Sequence, residues 1–483
     1  MSRSSLKYAL AFTLLLPSIA AAGETSPVQD SPTGPDLEAD VRGVPTLVWV
    51  DPINDLVPEA AAAAEISKIL FINRCTGGCT INPGLNDTRS NSSSIASGTK
   101  LLSEFRWSDE VWNDTIDCIR DVYAPYDVEV VTVDPGTELF HHEAILAGSA
   151  SELGLGAGIG GIAPADCEPL NNVMSFSFAN QDGNAINMCW TVAQESAHSF
   201  GLPNHAFNCL DPMTYLPGCG KKYFRNQNYP CGEFSQAASC RCSGSTQNSH
   251  RELLNVFGKG TTVIPAPAVN IALPTMDGMV TGRFPIFWNA SDERLISHSE
   301  VWVNGSVVAT VEGNDYATQQ NNINYNIQAP ENLADGYLDI EIKAYSDIGN
   351  ESVAAVTVLK GSPCANADSC HEFQSCENGR CSFPPATKEL GESCDIIQEC
   401  VEGVCADFGD SKSCTVTCNP NVTGGCAMDF ECVAAVSGDF VCQSAAETGG
   451  CCSVAGTKRD PLPWLGAGLF LLGLMILRRK RIR

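Results

Sequence analysis

Positive charge is scarce in this sequence. Only 29 Lys and Arg stand against 56 Asp and Glu, a formal charge of −27. A surface that negative repels phosphate backbones and anionic lipids, which excludes nucleic acid as a partner. Charged residues of both signs make up just 18% of the chain while 44% is hydrophobic, so a long disordered acidic polymer is excluded as well. Long apolar runs are missing except at the two ends, and paired C-x2-C knuckles are missing altogether, which removes a zinc ribbon.

What is present is length and cysteine. At 483 residues the chain is too long for one core and calls for roughly three folded units. The 24 cysteines form even sets: ten between Cys75 and Cys242, twelve between Cys364 and Cys442, and the adjacent Cys451 and Cys452. Even sets at irregular spacing suit disulfides made outside a reducing cytosol. The start of the chain agrees, because residues 1–22 carry Arg3 and Lys7, an apolar run and Ala20-Ala21-Ala22, the layout of a secretory signal peptide. Residues 23–43 lack periodicity and read as a linker or pro-segment.

Between 44 and 260 the apolar pattern predicts strands at Thr46–Val50 and Lys68–Ile72, a helix over Trp107–Tyr123, strands at Asp127–Val133, Glu143–Ala147, Ala157–Ile162 and Val173–Phe178, and a second helix over Ile186–Phe200. Gly201 and Pro203 stop that helix. The order gives an α/β (α+β) head with a mixed sheet. Residues 262–360 show short strand runs and the hairpin signal Asn304-Gly305, which predicts an all-β immunoglobulin-like or fibronectin-like sandwich. From 363 to 450 the spacing C-x5-C-x5-C-x4-C, followed by C-x5-C-x4-C, predicts small disulfide-rich modules forming a stalk.

Residues 451–483 join Cys451-Cys452 to an uncharged run from Pro461 to Leu477 and a basic cluster from Arg478 to Arg483. The run is about 25 Å as a helix, a short transmembrane span with its basic end inside. The combination resembles the C-terminal sorting tag of myxobacterial surface proteins. That resemblance implies lipidation or processing at Cys451 or Cys452 and a protein that is exported, then anchored at the outer membrane or released; a simple one-pass anchor is the alternative.

The chemistry-bearing stretch is QESAHSFGLPNHAFNCLDPMTY, from Gln194 to Tyr215. On a helix Gln194 and His198 share a face with Glu195 beside them, and Gly201 lets the chain turn so that His205 returns towards it. The stretch resembles the metzincin zinc peptidases, whose pattern is H-E-x-x-H-x-x-G-x-x-H with a downstream methionine turn. The resemblance implies a zinc ion held by His198, His205 and Gln194, with Glu195 as general base towards water, Tyr215 as a donor to the oxyanion, and Met213 as the floor of the site. It also implies that the edge strand before the helix, through Ala157, Gly158 and Gly160, pairs with substrate.

Two departures stand out. Gln194 occupies the place of the family's first histidine, and an amide oxygen is a weaker zinc donor than imidazole. Asn204 occupies the place of the third, with His205 one residue late; insertions after the glycine are tolerated in the family, which favours His205 as the ligand. The expected function is metal-assisted hydrolysis of extracellular proteins or peptides. The alternative is an inactive surface protein that keeps the fold for adhesion or peptide binding.

Other motifs have ordinary readings. Gly156 to Gly161 matches G-x-G-x-x-G, yet Pro164 and Asp166 follow where a dinucleotide site needs a helix. Cys75 and Cys79 read as a disulfide within the head. His141 and His142 read as an exposed loop pair, the other reading being a replacement ligand.

Overall fold

The computed structural model describes residues 44–444 apart from 52–53, 64, 220, 243, 314–321, 419 and 421–424. The expected signal peptide, the linker, the sorting tag with Cys451 and Cys452, and the apolar run within that tag lie outside the described residues. Among the described residues no helix is long and apolar enough to cross a membrane. The protein is multidomain and mostly β, with a few helices and a disulfide-rich C-terminal region. It divides into two compact units, one running to Ala266 and taking in Asp347–Asn350, the other taking the remaining described residues from Pro267.

The first unit contains β1 (Val44–Trp49), α1 (Pro58–Ala61), β2 (Ile69–Asn73), β3 (Cys79–Pro83), β4 (Ser92–Ser93), β5 (Lys100–Leu102) and α2 (Asp109–Tyr123). It continues through β6 (Glu129–Val131), β7 (His142–Leu146), α3 (Ala150–Leu153), β8 (Ile159–Ala165), β9 (Met174–Ser177) and α4 (Ala185–Ser199), and ends with β10 (Tyr229–Gly232), β11 (Ala237–Ala238), β12 (Thr246–Gln247) and α5 (Ser249–Phe257). Its main sheet has the order β1-β8-β9-β7-β2-β6. Strands β6, β2, β7 and β9 run parallel, β8 runs against β9, and β1 runs parallel to β8.

Alternation along the strands explains the layers. Leu70 and Ile72 of β2, with Ala144 and Leu146 of β7, join one core with Trp112, Ile116 and Ile119 of α2 and Met188 and Val192 of α4. Ile145, Met174 and Phe176 face the opposite side and pack with Ile81 and Leu102 of the small sheet β4-β3-β5. Ser108 caps α2 at the amide of Val111, and Asn184 caps α4 at Ile186 and Asn187. All ten cysteines of the head pair, as Cys75–Cys79, Cys118–Cys189, Cys167–Cys242, Cys209–Cys219 and Cys231–Cys240. The second of these staples α2 to α4.

Two expectations are corrected here. Ala157 and Gly158 lie in the turn before β8, and Gly160 lies in a strand flanked on one side by β9 and on the other by β1, so β8 is not an edge. The pairing partner of Thr46–Val50 lies more than a hundred residues away, which periodicity does not reveal. His141 and His142 are not an exposed loop pair either: they are 1% and 2% exposed, His142 because it opens β7, central in the sheet and covered on both faces, and His141, just before it, with its ring against Phe71 of β2.

The second unit opens with β13 (Ala268–Leu273), β14 (Met279–Val280), β15 (Pro285–Ser291), β16 (Ile296–Val303), β17 (Ser306–Glu312), β18 (Asn322–Gln328), β19 (Gly336–Ser346) and β20 (Glu351–Lys360). Sheets β13-β15-β18 and β14-β20-β19-β16-β17 form a sandwich over Ile286, Trp288, Val301, Ile340 and Ile342. Asn304 and Gly305 take φ of 47° and 80°, the paired positive values that a two-residue hairpin requires.

Three modules follow, each a two-stranded hairpin: β21 (Ser375–Glu377) with β22 (Arg380–Ser382), β23 (Cys405–Asp407) with β24 (Lys412–Cys414), and β25 (Phe430–Ala434) with β26 (Phe440–Ser444). Each is closed by two disulfides joining its first cysteine to its third and its second to its fourth: Cys364–Cys376 and Cys370–Cys381, Cys394–Cys405 and Cys400–Cys414, Cys418–Cys432 and Cys426–Cys442. So dense a set of disulfides fits a protein that folds outside the cytosol.

Candidate functional site

From Thr191 to Ser199 every residue of α4 is buried. Polar side chains in such a segment must find partners or cost free energy. Those that hold the scaffold do find them. Thr191 Oγ1 donates to the Asn187 carbonyl at 2.9 Å, Ser196 Oγ to the Val192 carbonyl at 2.6 Å, and Ser199 Oγ to the Pro164 carbonyl of β8 at 2.9 Å.

Gln194, Glu195 and His198 are treated differently. Each is 0% exposed, yet both polar atoms of the Gln194 amide, both Glu195 oxygens and Nε2 of His198 have no hydrogen-bond partner. His198 Nδ1 sits 2.8 Å from the Leu202 carbonyl, which fixes the proton there and leaves Nε2 as a lone-pair donor. The turn that supplies Leu202 is a helix stop: Gly201 takes φ 88° and the Leu202 amide donates back to the Ala197 carbonyl at 3.1 Å. A side chain at 201 would also meet the backbone nitrogen of Pro169 at 3.2 Å, so the position calls for glycine twice over.

Beyond that turn His205 returns to the site. Its ring lies 5.1 Å from the His198 ring, edge to face, and its Nε2 is also buried without a partner. Asn204, the other candidate, is engaged elsewhere: its amide donates to the Arg241 carbonyl and the Gln247 side chain, and its Oδ1 accepts from the Arg241 amide. The structure therefore buries Gln194, Glu195 and His198 on one helix, sets the His205 ring against that of His198, and ties Asn204 to Arg241 and Gln247 instead.

Met213 is fully buried in the core that also holds Ala197, Leu202 and Ala206, the neighbours of the two histidines. The Ala206 amide donates to the Met213 carbonyl, so the His205 loop and the methionine turn are joined directly. Asp211 shapes that turn, accepting from the amides of Met213 at 2.9 Å and Arg225 at 3.0 Å; burial pushes its carboxyl up to about 6. Tyr215 lies against His205 with ring centroids 3.9 Å apart, and Phe234 stacks on its other side at 5.1 Å.

The electrostatics follow from burial. Glu195 is pushed well above the usual carboxylate range by desolvation. His198 is pushed down to about 4 and His205 to about 2, in both cases chiefly by burial, and for His205 also by His198. The Tyr215 hydroxyl is raised by burial and then by the charges of Glu195 and Glu233. The two neutral imidazoles with free Nε2 lone pairs and the Gln194 amide oxygen are donors of the kind a divalent cation takes, whereas Glu195 does not form with the two histidines a cluster of ligand atoms within 4.8 Å; a cation bound nearby would reverse the preference of Glu195 for its neutral form.

Gly161 belongs to this site although the sequence pattern did not single it out. A Cβ there would lie 2.7 Å from Cγ and Oε1 of Glu195, so the carboxylate side chain rests directly on the backbone of β8. A Gly160-Gly161 pair inside a strand is the available signal, since glycine in a strand marks the close approach of another group. His142 packs its ring on Phe200 at 4.5 Å and is pushed down to about 3 by burial; both its ring nitrogens are buried without a partner, and among the described residues it joins no group of ligand atoms lying within 4.8 Å of one another. Three cysteine groups, Cys364/Cys370/Cys381, Cys394/Cys400/Cys405 and Cys418/Cys426/Cys442, place their sulfurs within 4.8 Å of one another, close enough to hold a metal. Every one of those sulfurs is in a disulfide, which leaves no thiolate to ligate.

Neither a protein-family model nor a curated protein matches this sequence. Among solved structures, the fibronectin(III)-like modules of Clostridium thermocellum CbhA are similar over 20% of this chain and 48% of theirs, at 22% identity and a TM-score of 0.17. A lytic polysaccharide monooxygenase (LPMO) of Kitasatospora papulosa is similar over 18% of this chain and 51% of its own, at 11% identity and a TM-score of 0.15. Catalytically inactive OgpA of Akkermansia muciniphila, solved with an O-glycopeptide substrate, aligns over 69% of this chain and 98% of its own, at 7% identity and a TM-score of 0.16. The chain thus spans about half the length of the first two. Similarity at this level assigns neither a fold nor an activity.

Proposed function

We propose that the head is a metzincin-like metal-dependent peptide hydrolase acting on extracellular proteins or peptides. The observation that carries this reading is the set of buried, unpartnered polar atoms on Gln194, Glu195, His198 and His205. Each buried polar group left unmade costs about 1–3 kcal/mol, and the scaffold residues of the same helix avoid that cost. Four neighbouring residues that all forgo partners are what a ligand site requires.

Zinc fits the donor set best, with His198 Nε2, His205 Nε2 and the Gln194 Oε1 as the ligating atoms; when bound it supplies Lewis acidity towards water and a scissile carbonyl. The chain's own residues do the rest. Glu195, held against Gly161, takes a proton from the attacking water and delivers it to the departing amine. Tyr215, kept protonated by its surroundings, donates to the oxyanion that forms on the carbonyl. The His198 Nδ1 contact with Leu202 fixes the tautomer, and the Ala206–Met213 link holds the second histidine in place.

The second reading is a surface protein with a retired site used for adhesion or peptide binding, favoured by Gln194 in place of an imidazole. Zinc content and casein cleavage of the purified secreted chain separate the two. Stoichiometric zinc, with cleavage by the chain freed of β1 that disappears in Glu195→Ala, is the expected result; no zinc and no cleavage in that folded, cut chain sinks the hydrolase.

A further inference from the structure

The outer side of β8 is the sheet margin nearest the site, because Gly161 touches Glu195 and Pro164 is bonded to Ser199. The opposite margin, β6, lies four strands away. In this protein the outer side of β8 is covered by the chain itself. Residues of β1 pair with it in register, Thr46 with Ile162, Leu47 with Ala163, Val48 with Pro164 and Trp49 with Ala165, and the Val50 amide donates to the Ala165 carbonyl at 3.2 Å.

We propose that residues 44–50 are an intramolecular occupant of the groove in which an extended polypeptide pairs with β8, so that the site is latent until this strap is cut or lifted. This rests on the hydrolase reading for its consequence, not for its geometry. An edge strand is recognised through its main chain, and the occupant shows which class of ligand the groove takes: an extended, apolar, β-branched segment. The strap is built to be removable. Leu47, Val48 and Trp49 are only half-buried, whereas Val50 anchors the end in a separate cluster with Leu56, Ala60, Leu170 and Val173. Its far end also reports on the site, because Trp49 lies under the Arg241 guanidinium, 3.3 Å from the ring centroid, and Arg241 clasps Asn204 next to His205.

The test uses the full secreted chain. Since Val50 points its amide at β8, alternate amides do the same, and Val48→Pro removes a ladder donor while Leu47→Pro alters an amide that faces away. A third form carries an inserted protease site at exposed Asp51 and is cut before assay. Binding of a fluorescein-labelled VPTLVWV peptide and cleavage of casein are both measured. Val48→Pro and the cut protein are expected to bind the peptide about tenfold tighter than wild type and Leu47→Pro. The proposal is overturned if the cut protein binds no tighter than wild type, or if wild type cleaves casein as fast as the cut form. Tighter peptide binding without casein cleavage in any form upholds the strap and removes the hydrolase; cleavage unaffected by cutting does the reverse.

Discussion

Placing one methyl group at position 161 interrogates the site without touching a ligand. Gly161 does not occupy the left-handed region, so alanine fits its backbone and any effect is steric. The new Cβ would lie 2.7 Å from Cγ and Oε1 of Glu195 and 2.8 Å from Cδ, where ordinary contacts begin at 3.4 Å. Either the carboxylate or strand β8 must therefore move by about 0.7 Å. Neither is free to do so: α4 is buried around Glu195, and β8 is held by β9, by β1 and by Ser199. Overpacking of this kind costs about 1–3 kcal/mol, and a general base misplaced by about 1 Å loses roughly 100-fold in turnover. Thermal unfolding of the whole chain reads the first quantity and depends on neither functional proposal; about 2–4 °C is expected for each kcal/mol. Casein turnover of the strap-cut protein reads the second. Gly156→Ala, with nothing within 4 Å of its new Cβ, is the control. Unchanged melting and turnover within twofold of wild type for Gly161→Ala would refute the claim that Glu195 is seated on β8.

Three further variants test separate parts of the head. Glu143 is 2% exposed and pushed up to about 7 by burial, against a downward pull from the Asn73 amide at 2.7 Å. The folded state thus holds this proton more tightly than the unfolded one, whose carboxyl titrates near 4.5; its contribution is whole below pH 4.5 and is lost as pH rises to about 7, a change of about 3 kcal/mol. Glu143→Gln keeps the acceptor for Asn73 and should flatten that slope and stabilise the protein at pH 8, as followed by urea unfolding between pH 4 and 8; an unaltered slope counts against the assignment. His142 shifts in the opposite sense but is common to both proteins, so it drops out of the difference. Cys118 and Cys189 close a loop across a separation of 71 residues, worth about 4 kcal/mol of chain entropy, and the double change to alanine should lower unfolding stability by that order in the same assay. Gln194→His should raise zinc affinity about tenfold in a chelator competition, because imidazole nitrogen is the better zinc donor; no change would mean that the 194 side chain is not directed at the ion.

The parts that were legible in the sequence are those whose cause is local. Apolar alternation located β2 and β9 to within a residue or two, and helical spacing located α2 and α4, because burial on one face writes itself into neighbouring residues. The i, i+4 relation of Gln194 and His198, and the need for glycine at 201, are local as well. What stayed hidden depends on distant partners. The third cysteine module has looser spacing than the first two, yet it closes with the same crossed pairing, which only the fold displays. The importance of Gly161 comes from Glu195, thirty-four residues on. Most consequential is β1: the strand at Thr46–Val50 was readable from its residues, but whether β8 offers a free edge depends on where that strand goes, and a parallel pairing across more than a hundred residues leaves no periodic trace. A sequence can therefore announce the chemistry of a site while remaining silent on access to it, since ligands are written as residue types and access is decided by which backbone amides are already paired.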